Sequence, residues 1–178
     1  RAKWWIANGW STSGIASVRS GQPVTLFVQN NWSRTRWAPS LGPGIGVDRP
    51  SLAPGFTHAS AVLGRPDQWF NPRAFVLPEQ GTLGNLGRGA LIGPNLRSFD
   101  MVLSKNNRLP RLGDAANLQF RAEAFNLFNR ANFGIAPPSL LAFAGSAANE
   151  QTLPGLGVLR STVTSARQNQ MSLRLSFR

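Results

Sequence analysis

The chain of 178 residues contains no cysteine, no tyrosine and a single histidine, His58. The lack of cysteine excludes disulfides and thiol chemistry, and cysteine and histidine together are too few for a metal cluster of the usual kind. Carboxylates are scarce as well: seven Asp and Glu stand against nineteen Lys and Arg, a net charge of +12. The seven are scattered, with no close pair suited to acid–base work. His58 lies alone in a Gly/Pro-rich loop, where a histidine is ordinarily solvated. No catalytic residue, metal or cofactor is therefore expected, and the chain reads as a non-enzyme. The glycine-rich stretch "GNLGRGALIGP" at 84–94 lacks the Lys-Ser/Thr of a phosphate loop and reads as flexible loop glycines. Long apolar runs are also missing; none approaches the ~20 residues of a membrane helix. No signal-peptide core follows Arg1, which fits a fragment whose targeting segment lies elsewhere.

What the chain does have is alternation. No long window keeps apolar residues at helical spacing, and Gly or Pro, 18 and 13 in number, interrupts most candidates. In "LQFRAEAFNLFNRANFG", Leu118–Gly134, the residues Leu118, Phe120, Ala122 and Ala124 fall on one side, and Gln119, Arg121 and Glu123 on the other. A soluble sheet rewards that pattern, and so does a strand with lipid on one side and water on the other. Residues 98–105 sort in the same way: Phe99, Met101 and Leu103 against Asp100, Val102 and Ser104. Residues 168–177 are cleanest, with Met171, Leu173, Leu175 and Phe177 opposite Gln170, Ser172, Arg174 and Ser176. Residues 4–19 read as one long strand; residues 22–29 either continue it past a Gly21 kink or form a short partner.

The connections are unequal. A modest turn joins 105 to 117, whereas 30–97 and 129–166 are long and hold most of the Pro and Gly. Such lengths are unusual in a compact soluble domain and ordinary in outer-membrane barrels, where short periplasmic turns alternate with longer outer loops. Antiparallel strands at 4–29, 98–105, 117–128 and 168–177 would put the short turn at one end and both long connections at the other. The expected fold is all-β: an antiparallel up-and-down sheet forming strands of a transmembrane barrel, with long outer loops. Arg121, Glu123, Arg174 and Asp100 are then expected to face the lumen, because an Arg facing lipid at mid-depth costs ~2–4 kcal/mol. Arg174 is expected to reach Glu123 across the last hairpin.

The basic charge implies contact with polyanions, either nucleic acid or anionic lipid head groups. "NNWSRTRW" at 30–37 carries the sharpest version. Trp32 and Trp37 could stack on bases with Arg34 and Arg36 on phosphates; on the barrel reading they form an outer-surface basic and aromatic patch touching lipopolysaccharide. Trp4, Trp5 and Trp10 fit an interfacial girdle or the lipid face. The alternative to a barrel is thus a soluble all-β basic module binding nucleic acid or another acidic polymer.

Several stretches carry a resemblance. "GWSTSGIASVRSGQPVT", "RPDQWFNPRAF", "GNLGRGALIGPNLRSFDMVLSKNNRL", "LQFRAEAFNLFNRANFG" and "RQNQMSLRLSFR" are similar, in this order, to the C-terminal part of TonB-dependent receptor barrels, above all the Oar-like receptors with a carboxypeptidase-regulatory-like N-terminal domain. "EAFNLFN" followed by "NFG" is the most specific piece. The resemblance implies that residues 1–178 are the last strands of a larger outer-membrane transporter of the Gram-negative type. The plug and the remaining strands would lie outside them. It implies uptake of a substrate, with outer-membrane lipid and lipopolysaccharide, the barrel-assembly machinery and the TonB system as partners. Met171, Leu173, Leu175 and Phe177 would be the C-terminal assembly signal. Two features depart from the pattern: Arg178 follows the terminal aromatic, and Trp and Phe stand where such barrels use Tyr.

Overall fold

The computed structural model describes residues 4–35, 48–112, 116–135, 139–146 and 149–177. Twelve strands form among them, β1 to β12 in chain order, with a four-residue helical turn at Trp4–Ala7. They fall into two compact units, one of Arg1–Arg19, Leu96–Asn132 and Thr164–Arg178, the other of Ser20–Asn95 and Phe133–Val163.

The first unit is a four-stranded sheet in the order β1 (Trp10–Arg19), β8 (Leu96–Arg108), β9 (Asn117–Phe125), β12 (Gln168–Ser176), antiparallel throughout. Period-two alternation located β8, β9 and β12, and the Trp-, Ser- and Thr-rich stretch at 4–19 located β1. The N-terminal boundary differs: residues 4–7 wind into a helical turn instead of extending the strand. The reason is Gly9. Its φ of +79° ends the turn in the conformation glycine adopts most readily, and any Cβ there would collide with the Asn106 carbonyl. The Ile6 carbonyl at the end of the turn accepts from the Trp10 indole at 2.7 Å and the Lys105 ammonium at 2.9 Å. On β1 itself, Gly14 lies under the Phe99 ring of β8, an aromatic covering the gap a glycine leaves in a strand.

The second unit corrects two expectations. Residues 22–29 neither prolong β1 nor pair with it. Gly21 approaches Gly93 so closely that a Cβ would overlap the Gly93 carbonyl, and β2 (Pro23–Val28) joins a separate sheet. Its order is β11 (Asn149–Thr152), β10 (Ser139–Ser146), β2, β7 (Leu91–Ile92). β2 and β10 run parallel, an arrangement open to them because they come from different excursions of the chain. Two short pairs accompany them, β3 (Ser51–Leu52) with β6 (Phe75–Val76) and β4 (Val62–Arg65) with β5 (Gln68–Phe70). The long connections therefore fold around a core of their own, including Val24, Leu26, Phe70, Leu86, Leu91 and Phe143. The glycines of 84–94 are packed: a Cβ on Gly84 would overlap the Arg49 carbonyl, and the Gly93 amide donates to the Gln22 carbonyl at 2.9 Å.

Three asparagines end the strand run of the first unit. Asn126 leaves the strand at φ +49°. Its amide donates to the Asp100 carboxylate at 2.8 Å, and its side-chain nitrogen donates to the Arg130 and Ser165 carbonyls, each at 3.0 Å. The Asn129 side chain accepts from the Arg167 amide at 3.0 Å. Asn132, 1% exposed, accepts from the Arg97 amide at 2.9 Å and donates to the Thr164 hydroxyl at 3.0 Å. The segment leaving β9 is thereby tied to the start of β8 and to the segment entering β12.

Burial decides the expected ranking. Asn132→Ala should lower the unfolding free energy by about 1–3 kcal/mol, because it strands buried polar groups, and exposed Asn129→Gly, which keeps the positive φ of +51° without strain, by less. Asn126→Ala should be worse than Asn126→Gly by ~1–2 kcal/mol, since only glycine takes positive φ without strain. Urea midpoints followed by tryptophan fluorescence in detergent micelles would measure this; equal midpoints for the Asn129 and Asn132 variants would remove the latch from the fold's stability.

Candidate functional site

Register fixes which side chains share a face. Trp10 pairs with Lys105, Lys105 with Phe120 and Phe120 with Leu173. Directly paired residues of an antiparallel sheet lie on the same face. One face therefore carries Trp10, Ala16 and Val18 of β1, Phe99, Met101 and Leu103 of β8, Leu118 to Ala124 at even positions of β9, and Met171, Leu173 and Leu175 of β12. Phe177 follows at the next alternate position. This face is bare: Met171 is 75% exposed, Leu173 69% and Val18 73%. The main core cluster among the described residues contains none of its side chains.

The other face carries the charges, with Ile15, Val102 and Phe125 as its apolar members. Arg121 and Glu123 lie on it and form an ion pair, with the guanidinium Nε 2.9 Å from the carboxylate. Ser11 and Ser104 share a 2.7 Å hydrogen bond between strands. Asp100 is on this face too, bonded to the Asn126 amide. Arg174 is opposite Gln119, and Glu123 opposite Gln170. The two charged groups are thus four residues out of step, roughly 13 Å along the strand. The expected Arg174–Glu123 contact does not form, because Glu123 is taken by its near neighbour Arg121.

The ends of the bare face differ. At one, Lys105 is buried, donates to the Ile6 and Asn8 carbonyls at 2.9 and 3.1 Å, and lies 4.7 Å from the centre of the Trp10 ring. At the other, Arg97 is exposed opposite Val18, next to the paired rings of Phe99 and Phe128, whose centroids are 5.8 Å apart. Sequence reasoning passed over Arg97, Lys105, Phe128 and Arg130. The signal existed in "LRSFDMVLSK", where an arginine and a lysine bracket three apolar residues at alternate positions.

In the second unit Trp32 is half-buried against the core and its indole donates to the Pro78 carbonyl at 2.6 Å. Its ring is committed to packing, so the exposed stacking platform read from the sequence is not formed by this residue. Arg34, at φ +58°, bonds Gln80 at 2.8 Å. Arg36, Trp37, Arg178 and the side chains of Trp4 and Trp5 lie outside the described residues. Ser33 and Asp48 are buried together, with the carboxylate accepting from the Ser33 amide and hydroxyl at 2.6 and 2.8 Å. His58 is exposed, and no group of three or more metal-ligating side chains occurs among the described residues. No described helix is long and apolar enough to cross a membrane.

An antiparallel sheet with one bare apolar face and one charged face is the form a bilayer-spanning strand takes. No curated protein and no solved structure matches the chain. The family model described as "Outer membrane beta barrel domain" matches residues 1–170, and the chain belongs to that family, whose place is the outer membrane of Gram-negative bacteria.

Proposed function

We propose that the four-stranded sheet is part of the wall of a TonB-dependent receptor barrel, taking part in energised uptake of a substrate across the outer membrane. The observation that carries the membrane half is the bare face. On β8 it is bounded by Arg97 and Lys105, eight residues apart, or about 26 Å along a strand at ~3.3 Å per residue. At a tilt of ~45° this gives about 19 Å along the membrane normal, and the arginine stem extends the reach toward the ~25 Å apolar band of such barrels.

The slant of the band supports the same reading. Its midpoint falls at Gly14 on β1, which pairs with Met101; at Met101 on β8; at Arg121 on β9, which pairs with Ser104; and at Arg174 on β12, which pairs with Gln119 and so with Asn106. The midpoint thus moves from 101 to 106 on the β8 scale across three strand-to-strand steps. Five residues are about 17 Å and three steps about 14 Å, a slant of roughly 50°, close to the ~45° tilt of membrane strands. Asp100, Arg121, Glu123 and Arg174 then face the lumen, where a charge avoids the lipid penalty, and both long excursions leave at the outer end. Four strands cannot enclose a lumen, so β1 and β12 pair with further strands in the closed barrel.

The TonB half rests on the resemblance carried by "EAFNLFN" and "NFG". Its asparagines are the ones that tie the strand ends together. In this reading a plug domain contacts TonB and the polar face lines the plug. The barrel-assembly machinery reads the β12 edge through its backbone, with Met171, Leu173, Leu175 and Phe177 giving specificity.

Two measurements test these halves separately. Leu173→Arg should destabilise the protein in phosphatidylcholine vesicles by about 2–4 kcal/mol, whereas Ser172→Arg on the polar face should cost less than ~1 kcal/mol; the reverse order would invert the faces and sink the membrane reading. Cross-linking in whole cells should capture TonB on the receptor. A protein that assembles in outer membranes, never captures TonB and conducts ions as an open pore in planar bilayers would be a passive barrel, and the uptake proposal would fall.

A further inference from the structure

We infer that the second unit binds a small amphipathic carboxylate, a fatty acid of medium length being the simplest case, with the carboxylate on Arg160 and the chain on the apolar wall around Leu141 and Val158. Such binding requires neither TonB nor energised uptake, and residues of the second unit alone build the site.

A cavity of about 400 Å³ opens between the start of β10 and the loop that follows β11, within the ~300–1,000 Å³ usual for small-molecule sites. Ile135, Leu140, Leu141, Leu153 and Val158 line it, and Arg160 is the one charged side chain in its lining. The apolar wall is continuous with the core of the unit. Leu156 belongs to the core cluster, and Ile135 and Leu140 pack against it. The wall is nevertheless incompletely covered, with Leu141 and Leu153 half-buried and Val158 38% exposed. Side chains in that state gain from an apolar group laid over them.

Arg160 selects the head group. It is exposed, and among the described residues its guanidinium has no ion-pair or hydrogen-bond partner. One terminal nitrogen lies 3.4 Å from the place a Cβ on Gly155 would take, so the glycine leaves room beside the fork. A guanidinium gives two parallel hydrogen bonds to a carboxylate, whose single charge it balances. A phosphate monoester would bring a second charge with no further cation in the lining to meet it, and an unpaired charge against an apolar wall is costly. The frame is set in advance. The Gly157 carbonyl, at a residue with φ of +84°, accepts from the Trp69 amide at 2.6 Å. The Leu159 amide donates to the Pro66 carbonyl and the Leu153 amide to the Ala142 carbonyl, each at 2.9 Å, and the Gly134 amide to the Ser161 carbonyl at 3.2 Å. With both walls anchored, little ordering entropy of the main chain is left to lose on binding.

The test is equilibrium dialysis of radiolabelled decanoate against the protein extracted from outer membranes in nonionic micelles, with empty micelles on the opposite side to cancel partition into detergent. Decanoate should be held in excess of the micelle control. Octanoate should compete roughly tenfold more weakly, since two fewer methylenes are buried. Decanol and decyl phosphate should each compete roughly tenfold or more weakly, the one lacking the charge-assisted bonds and the other bringing an unpaired charge. Acetate should not compete. Arg160→Gln should lose roughly tenfold or more in affinity for decanoate and with it the preference over decanol. Val158→Ser should weaken binding and keep that preference, and Arg65→Gln, outside the cavity, should bind like the parent. No excess over empty micelles, parent-like binding by Arg160→Gln, decanol or decyl phosphate matching decanoate, or displacement by acetate would each overturn the site. Heat-modifiable migration is followed for every variant. If Arg160→Gln loses it, Arg160→Lys takes its place and should still weaken binding, because lysine lacks the bidentate fork; parent-like binding by the lysine variant would then overturn the site.

Discussion

The asparagines that follow β9 are what the rest of the first unit depends on. A strand that stops must satisfy its last amides and carbonyls, and a chain that leaves a sheet for a thirty-residue excursion must come back in the right register. Asn126, Asn129 and Asn132 do both within seven residues: they bond the start of β8 on one side and residues 164–167 on the other. Register matters here more than in most sheets, because a slip of one residue would exchange the two faces. Arg121 would then take the place of Phe120 on the apolar side. A latch at the point of departure holds the parity of β12 against β9.

Fixed parity makes the sheet two-sided, and two-sidedness makes the charges affordable in a membrane. The ion pair of Arg121 with Glu123, the serine pair between β1 and β8 and the Asp100 contact all lie on one face. The other face has its cations at its margins, Arg97 at one and Lys105 at the other, with apolar side chains between. The two cations are stabilised differently. Lys105 is satisfied by carbonyls of the helical turn that precedes β1, so the turn at residues 4–7 has a reason: an extended strand there would leave the ammonium without its Ile6 and Asn8 acceptors.

Much of this was legible in the sequence because a half-buried strand writes itself in period two. Three of the four strands, their antiparallel order and both faces follow from Leu118 to Ala124, from Phe99 to Leu103 and from Met171 to Leu175; β1 was read from its Trp, Ser and Thr instead. The second unit was not legible. Its strands are as short as two residues and too brief to show a period, and its core is assembled from single apolar residues, such as Leu86 and Leu91, separated by glycines. Glycine in such a stretch means either freedom or close packing, and composition cannot separate them; Gly21 against Gly93 and Gly84 against Arg49 show packing. Trp32 was misleading for a similar reason. A tryptophan among arginines reads as a platform, yet its indole found a carbonyl forty-six residues away.

Three of the few carboxylates are used inside the fold. Asp48 is buried against Ser33, Asp100 bonds the Asn126 amide, and Glu123 is paired with Arg121. Acidic groups occupied in this way, inside turns and on the polar face, are not placed to neutralise Arg97, and among the described residues no ion pair involves it. Had an aspartate stood beside it, the guanidinium would be satisfied internally, as Lys105 is.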